Sequence, residues 1–444
     1  MTFVYGIIGL GLIVIIHEFG HFCASKMMGV KVEAFSVGMG PVLLHKEVRG
    51  VDWRLSLFPI GGYCAMKGEN AFQEALDSGA SEIQGEPDSF YGVSPLKRAF
   101  IAFNGPFFNV IFAFVAFVII SAIGYSYYTT GNRVILADEI YPDMISVAGQ
   151  AGLKTGDYII SIDKHDTPDF SEISQYVSLH ADEDIVLHVE RNGDLIDIPV
   201  HTLLDTSTGA GKIGIVNWVD PIIETVTEGS RAAKSGLLSG DTIRAADGVP
   251  VQNVASLSLA LADKNAFTLT VERDGSSFEV ALERESEDEI LGVAFHINHV
   301  HTKKYSFFGA LWQGVLETGN MIGLTFKSIS LLFKGVDLSS AVSGPVRITK
   351  MLGETAIEGF TASFSTGVIT VLNFLALISI SLFIMNLLPI PILDGGLLLF
   401  ALIETFSGKK IHPKFLYYVQ FVGLAFIFVL FGIALFSDMR YLFG

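Results

Sequence analysis

The chain has 444 residues, half of them hydrophobic, with 35 Phe and a formal charge of −17. A mean hydropathy of +0.50 at this length points to membrane spans joined to soluble parts, and the acidic balance excludes a basic face for nucleic acid. Cys23 and Cys64 are the only cysteines, which excludes a disulfide framework and a cysteine-based metal site.

Residues 2–24 form the first apolar run, long enough to cross a bilayer. It carries His17-Glu18-Phe19-Gly20-His21. No basic residue precedes it, and Gly20-His21-Phe22 before Cys23 does not suit a lipoprotein signal, so it reads as a retained span. Lys26 and Lys31 follow directly, which places the N-terminus outside and the motif in the cytoplasmic half of the span. On a helix His17 and His21 leave the same face one turn apart, the spacing with which two imidazoles grip a zinc, and Glu18 stands beside them as general base. A chance match is the bland reading. Against it, three ionisable residues at membrane depth each carry a cost of a few kcal/mol or more.

Residues 25–97 read as a cytoplasmic or re-entrant β region. Val32–Pro41 and Val51–Phe58 are short strands with a turn near Arg49-Gly50. The second runs into Pro59-Ile60-Gly61-Gly62-Tyr63, too apolar for an ordinary surface loop. Either this hairpin enters the membrane, buried in protein or lining a wet cavity, or it belongs to a small cytoplasmic sheet. Residues 69–92 read as a polar mobile loop. Lys97-Arg98 mark the next cytoplasmic edge, and 99–124 is the second span, with Asn104, Gly105, Pro106 and Asn109 expected to face protein.

Residues 125–305 form a soluble block outside the membrane. From Thr130 to Tyr305 there are 29 acidic and 13 basic residues, so nearly all the excess charge sits here. The block repeats itself. Gly152-Leu153-Lys154-Thr155-Gly156-Asp157 is echoed 84 residues later by Gly236-Leu237-Leu238-Ser239-Gly240-Asp241. Val189-Glu190-Arg191-Asn192-Gly193 is echoed 82 later by Val271-Glu272-Arg273-Asp274-Gly275. Each copy reads as a short helix, a Gly-Leu-x-x-Gly-Asp turn, a strand (158–162; 242–246), a helix and a two-strand hairpin, at 130–205 and 212–300. The plan resembles tandem PDZ domains of the bacterial type, which implies peptide binding by strand addition. A purely steric gate is the other role.

Residues 306–366 read as amphipathic helices on the membrane surface. The third span, 367–388, runs inward into Asn386-Leu387-Leu388-Pro389-Ile390-Pro391-Ile392-Leu393-Asp394-Gly395-Gly396, where the prolines end regular helix. Lys409, Lys410 and Lys414 make a cytoplasmic turn, and 415–436 is the fourth span, so both termini lie outside. The fold class is therefore a polytopic α-helical membrane protein of four transmembrane helices and a membrane-associated β-hairpin, with two inserted α+β domains. The charge rule brings Asp394 and the histidines to the same side of the bilayer. His17, His21 and Asp394 then make the three-ligand set of a catalytic zinc, one ion per chain. Alone, Asp394 would read as a capping or turn residue.

These motifs resemble the site-2 protease family of intramembrane zinc metalloproteases, in its bacterial RseP type. The resemblance rests on His17-Glu18-x-x-His21, Gly61-Gly62-Tyr63, Gly105-Pro106 with Asn109, the tandem PDZ block, and Asn386-x-x-Pro389-x-Pro391-x-Leu393-Asp394-Gly395-Gly396. It implies a peptidase of the bacterial inner membrane that cuts single-pass transmembrane segments, such as anti-sigma factors trimmed outside beforehand and remnant signal peptides. It also implies that the hairpin around 47–66, with Gly61, Gly62 and Tyr63, holds substrate as an added strand, and that Asn386 with Pro389 and Pro391 serves substrate handling. Leu397 stands where relatives often carry His, a position outside the ligand set. Two other classes compete. A catalytically dead PDZ-bearing scaffold would have lost the base or a ligand, and all four residues remain. A metal transporter would need polar residues forming a path along each span, and the second and fourth offer no acidic or His ligands at depth.

Overall fold

The computed structural model describes the chain except residues 69, 263, 284–291, 332–342 and 444, together with the side chains of 60 and 443. Parts of the expected 212–300, 306–366 and 367–444 segments thus lie outside the described residues. Two compact units emerge. One comprises Met1–Tyr125, Thr302–Ser330 and the C-terminal part of the chain; the other is the inserted block Ser126–His301.

In the first unit, α1 (Thr2–Met28) runs four residues past its expected end and stops at Gly29 in the left-handed conformation, φ 84°. Glycine pays no Cβ penalty there, which is why helices stop at such positions. Four helices among the described residues are long and apolar enough to cross a membrane: Thr2–Met28, Pro95–Ile123, Phe364–Asn386 and Pro413–Leu442. We call the second, third and fourth α3, α6 and α8; α8 extends to Phe443. Small residues let α3 and α6 approach. Ala113, Ala116 and Phe117 of α3 form one buried cluster with Ala376, Ile380 and Ile384 of α6.

The strands are longer than expected: β1 is Val32–Val48 and β2 is Val51–Met66, so Pro59–Tyr63 continues the strand. Arg49 and Gly50 both have positive φ, 52° and 72°, and Val48 pairs with Val51 across them. This is the two-residue turn whose twist matches a hairpin. Both strands bend, at Gly38 and Gly61 (φ 86° and 83°), and fold back. Ala34 pairs with both Asp52 and Ala65, and Val37 with both Leu55 and Gly62. The ribbon thus becomes four segments side by side, in the order 42–48, 51–56, 34–37, 62–66.

The last of these segments lies along α1. A Cβ on Gly11 would fall 2.6 Å from the Pro59 carbonyl, and the Cβ position of Gly62 lies 3.8 Å from Glu18 Cγ. The Ser25 hydroxyl meets Met66 Sδ at 3.0 Å. Seven strand steps of about 3.3 Å cover about 23 Å, and fourteen helix steps of about 1.5 Å cover about 21 Å. Strand and helix therefore keep pace, and the bends reach the middle of α1. There Met39, Val42, Leu43 and Phe58 are exposed.

The segment read as a mobile loop contains α2 (Asn70–Asp77) and is clasped at its base. Lys67 Nζ reaches Glu86 at 2.6 Å and Asp88 at 2.8 Å, and Phe90 packs with Ala24, Val30 and Ile101. Polar composition hid these anchors.

Over 306–366, where surface helices were expected, α4 (Phe307–Leu331) and α5 (Pro345–Ala362) form. α5 packs beside a span: its Leu352 is buried with Ile13 of α1 and Leu375 of α6. Burying a side chain such as Ile13 contributes about 1.5–3 kcal/mol. Asp438 of α8 caps the start of α5, accepting from the backbone N–H groups of Gly344 and Val346, both at 2.9 Å. After α6 the Pro389–Leu393 turn leads into a helix absent from the sequence reading, α7 (Asp394–Ser407).

The inserted block holds two four-stranded sheets with the same arrangement. One has the order 165–166, 158–162, 184–191, 194–201; the other 249–250, 242–246, 266–273, 276–283. Tyr158–Ile162 and Thr242–Ala246 are strands as expected. Residues 215–217 pair with 134–136, and Ile213 joins the first core, so the first half continues past 212. Each repeated Gly-Asp turn is tied to its repeated Arg. Arg191 donates to Asp157 at 2.8 and 2.6 Å and to the Gly152 carbonyl at 2.8 Å. Arg273 does the same with Asp241, at 2.6 and 2.7 Å, and with Gly236 at 2.8 Å.

Candidate metal centre

The helical spacing of His17 and His21 does what it promised: the rings stand on one face, their centroids 4.9 Å apart. The turn after α6 delivers Asp394, the first residue of α7, to the same point. Asp394 Oδ2 lies 3.0 Å from His17 Nε2, and its Oδ1 lies 3.3 Å from His21 Nε2. The two Nε2 atoms are 3.3 Å apart. Among the described residues this is the one group of three donors able to hold a metal ion.

The spacing fits zinc. Tetrahedral donors about 2.0–2.1 Å from one ion stand about 3.3 Å from each other. His21 Nδ1 is 3.0 Å from the Ile101 carbonyl, so Nδ1 carries the proton and Nε2 presents a lone pair. A Cβ on Gly105 would fall 2.1 Å from His21 Nε2, so only glycine at 105 leaves the space beside that donor open. Two lone pairs and a carboxylate converging this closely repel unless a cation sits among them.

Glu18 points to the neighbouring strand. Its carboxylate is hydrogen-bonded by the Cys64 backbone, beside Gly62. Asn109 of α3 brings its side-chain nitrogen 3.3 Å from His17 Nδ1, and its buried Oδ1 has no partner among the described residues. Ser379 of α6 holds the Asn109 carbonyl at 2.9 Å.

The expected handling residues lie on β2 and at the end of α6 with the turn after it. Gly61 and Gly62 lie on the strand beside α1. The Tyr63 hydroxyl accepts from Arg54 at 3.0 Å, and Arg54 donates to Asp52 at 2.7 Å. Asn386 ends α6. Pro389 and Pro391 lie in the turn that carries Asp394, with the Pro391 ring against Gly423 of α8. Their placement shapes the turn.

Sequence reasoning missed the ion pair of Arg98 (α3) with Glu404 (α7), which ties α7 to the span that supports His21. The Glu404 carboxylate also accepts from the Ile411 N–H at 2.8 Å. An acid within Leu397–Ile403-Glu404, ten residues past Asp394, was the available signal. The Ile101 and Cys64 backbone contacts leave no side-chain signature.

The model of peptidase family M50 matches residues 5–430. The chain belongs to peptidase family M50. Relatives include a protein of Treponema pallidum named as a zinc metalloprotease, 42% identical with 99% of each chain covered. A Borreliella burgdorferi protein named likewise is 29% identical over 99% of this chain and 98% of its own. The regulator of sigma-E protease RseP of Escherichia coli is 30% identical over 97% of each. The M50 chain described here is thus a zinc metalloendopeptidase of the site-2 protease family, with helices fit for the membrane.

Proposed function

We propose that this M50 peptidase cuts peptide bonds inside the membrane, in transmembrane segments of single-pass proteins, with zinc held by His17, His21 and Asp394 and with Glu18 as general base. The observation that carries this reading is the 3.0–3.3 Å spacing of the three donors, set among apolar helices. Zinc at this site supplies Lewis acidity, drawing the pKa of a bound water down toward about 7. Glu18 takes the proton from the attacking water and passes it to the leaving amine. The Cys64 backbone holds the Glu18 carboxylate in place.

Asn109 is a positioning residue. With its amide turned over, Oδ1 accepts from His17 Nδ1–H, the orphaned oxygen is satisfied, and His17 Nε2 is left to the metal. A membrane substrate hides its peptide bonds in helical hydrogen bonds, so it must unwind before attack. Residues 62–66, the last of the four segments, with Gly61, Gly62 and Tyr63, would offer an unwound stretch its backbone partners. Asn386, Pro389 and Pro391, in and before the turn that carries Asp394, serve substrate handling. Anti-sigma factors and signal-peptide remnants are the substrate class the family suggests. The inserted block, lying outside the cytoplasm with both termini, consists of two PDZ-type domains that bind peptide tails or screen substrates by size.

The test compares wild type with Glu18→Gln on a tagged single-pass substrate in detergent, with zinc measured in both. Cleavage by wild type alone, equal zinc and loss of activity with chelator are expected. Equal cleavage by both proteins overturns the assignment, and zinc lost from the variant removes Glu18 from the role of base alone.

A further inference from the structure

A cavity of about 610 Å³ opens between the last turn of α1 and the tip of the β1–β2 hairpin, lined by Phe22, Lys26, Val48, Arg49, Val51 and Trp53. It is separate from the metal centre and independent of the hydrolytic reading. We propose that it seats one anionic phospholipid, with the phosphate between Lys26 and Arg49 and the acyl chains along Phe22, Trp53, Val48 and Val51.

Three observations converge on that occupant. Charge is segregated at the hairpin tip. Opposed residues of paired strands share a face, and Lys46 opposes Trp53 as Val48 opposes Val51, whereas Glu47 opposes Asp52. The cavity face is therefore cationic and apolar, and both acids of the tip are on the other face. Asp52 is engaged there, by Arg54 at 2.7 Å and His45 at 3.1 Å.

Among the described residues neither Lys26 nor Arg49 has a carboxylate partner; Lys26 lies over the Phe22 ring at 5.9 Å. Arg49 also occupies a left-handed turn position, φ 52°, where Asn or Gly is at home and other residues carry a cost. A cation kept at a conformationally unfavourable place implies something for it to hold.

The depth is right as well. Ser25 is level with Met66, at the polar end of α1, where the apolar run gives way to lysine. A lysine or arginine at that height extends its stem along apolar surface and its charge into the headgroup layer. Basic pockets between membrane elements on the cytoplasmic side suit anionic headgroups.

The experiment uses the full chain in mixed micelles and follows tryptophan fluorescence during titration with brominated phosphatidylglycerol or brominated phosphatidylcholine. The signal missing in Trp53→Phe is that of Trp53. Phosphatidylglycerol is expected to quench it at a lower mole fraction than phosphatidylcholine, by roughly five-fold for each cation. Lys26→Gln with Arg49→Gln should bring the two lipids together. Arg49→Asn, which suits the turn and so protects the fold, should remove about one five-fold step. Superimposed curves for the two lipids in wild type, or a preference that survives both substitutions, overturn the proposal. Displacement of the brominated anionic lipid by inorganic phosphate does so too, since it would make the site one for a free anion.

Discussion

Carboxylates withdrawn from water, fully at Asp157 and Asp241 and half-way at Asp394, occur in both units, and their surroundings differ. Asp241 is fully buried, yet Arg273 grips both its oxygens and the Leu238 N–H donates to it at 2.8 Å. Asp157 has the same company from Arg191 and the Lys154 N–H, at 2.8 Å for the latter. Asp394, by contrast, faces two imidazole nitrogens and, among the described residues, no arginine or lysine. The first kind of carboxylate is complete within the protein and serves the fold. The second is incomplete, and what it lacks is positive charge at a point that three donors share. Completeness, more than burial, separates a structural acid from a functional one.

The sharpest way to break this contrast is to remove the incomplete acid. Asp394→Ala should lose zinc and proteolysis together, with thermal stability of the inserted block unchanged; metal analysis and cleavage of a single-pass substrate read the result. Removing a complete acid should do the reverse. Asp241→Ala removes the buried acceptor that Arg273 and the Leu238 N–H share, so the stability of the inserted block should fall while zinc content should not change. Urea unfolding of the inserted block measures it.

The next effect is smaller. Asn109→Leu takes away the acceptor that holds His17, and zinc affinity should fall about 10- to 100-fold, whereas Asn109→Asp, which still accepts, should retain it. Competition with a chelating dye distinguishes the two.

The smallest effect lies on the surface of the inserted block. The hydrogen bond to Asp197 holds the His188 imidazole above its ordinary 6.5. A raised value means stabilisation that is full below about 6.5 and fades as pH rises through the raised value. His188→Gln should therefore narrow the gap in melting temperature between wild type at acidic and at alkaline pH.

The same contrast explains what could be read in the sequence. The Gly-Asp turns and the Glu-Arg pairs repeat because each copy needs the same ion pair, so the repeat was visible as text before its physical reason was known. His17 and His21 were visible because helical spacing is local. Asp394 required topology, since it meets them across 377 positions of chain. What stayed hidden depends on backbone or on bends. The Ile101 carbonyl and the Cys64 N–H belong to positions whose side chains say nothing of the contact. Folding two strands into four side-by-side segments depends on Gly38, which read as part of a strand, and on Gly61, which read as part of an apolar stretch after one. α7 was hidden because the prolines and glycines before it signalled an ending, and its apolar Leu397–Ile403 stretch was not weighed as a beginning.

The strand beside α1 has a consequence for how this region can vary. Strand and helix are graduated differently: about 3.3 Å a residue on one and about 1.5 Å on the other. They agree between Pro59 and Met66 because seven divisions of one match fourteen of the other. Deleting a single residue there displaces Gly62 from Glu18 by about 3.3 Å and turns every following side chain to the other face. Apart from Gly61, Gly62 and Tyr63, side chains along this stretch can change while its length cannot, and a library that varies composition at the other positions should retain activity where one that varies spacing loses it.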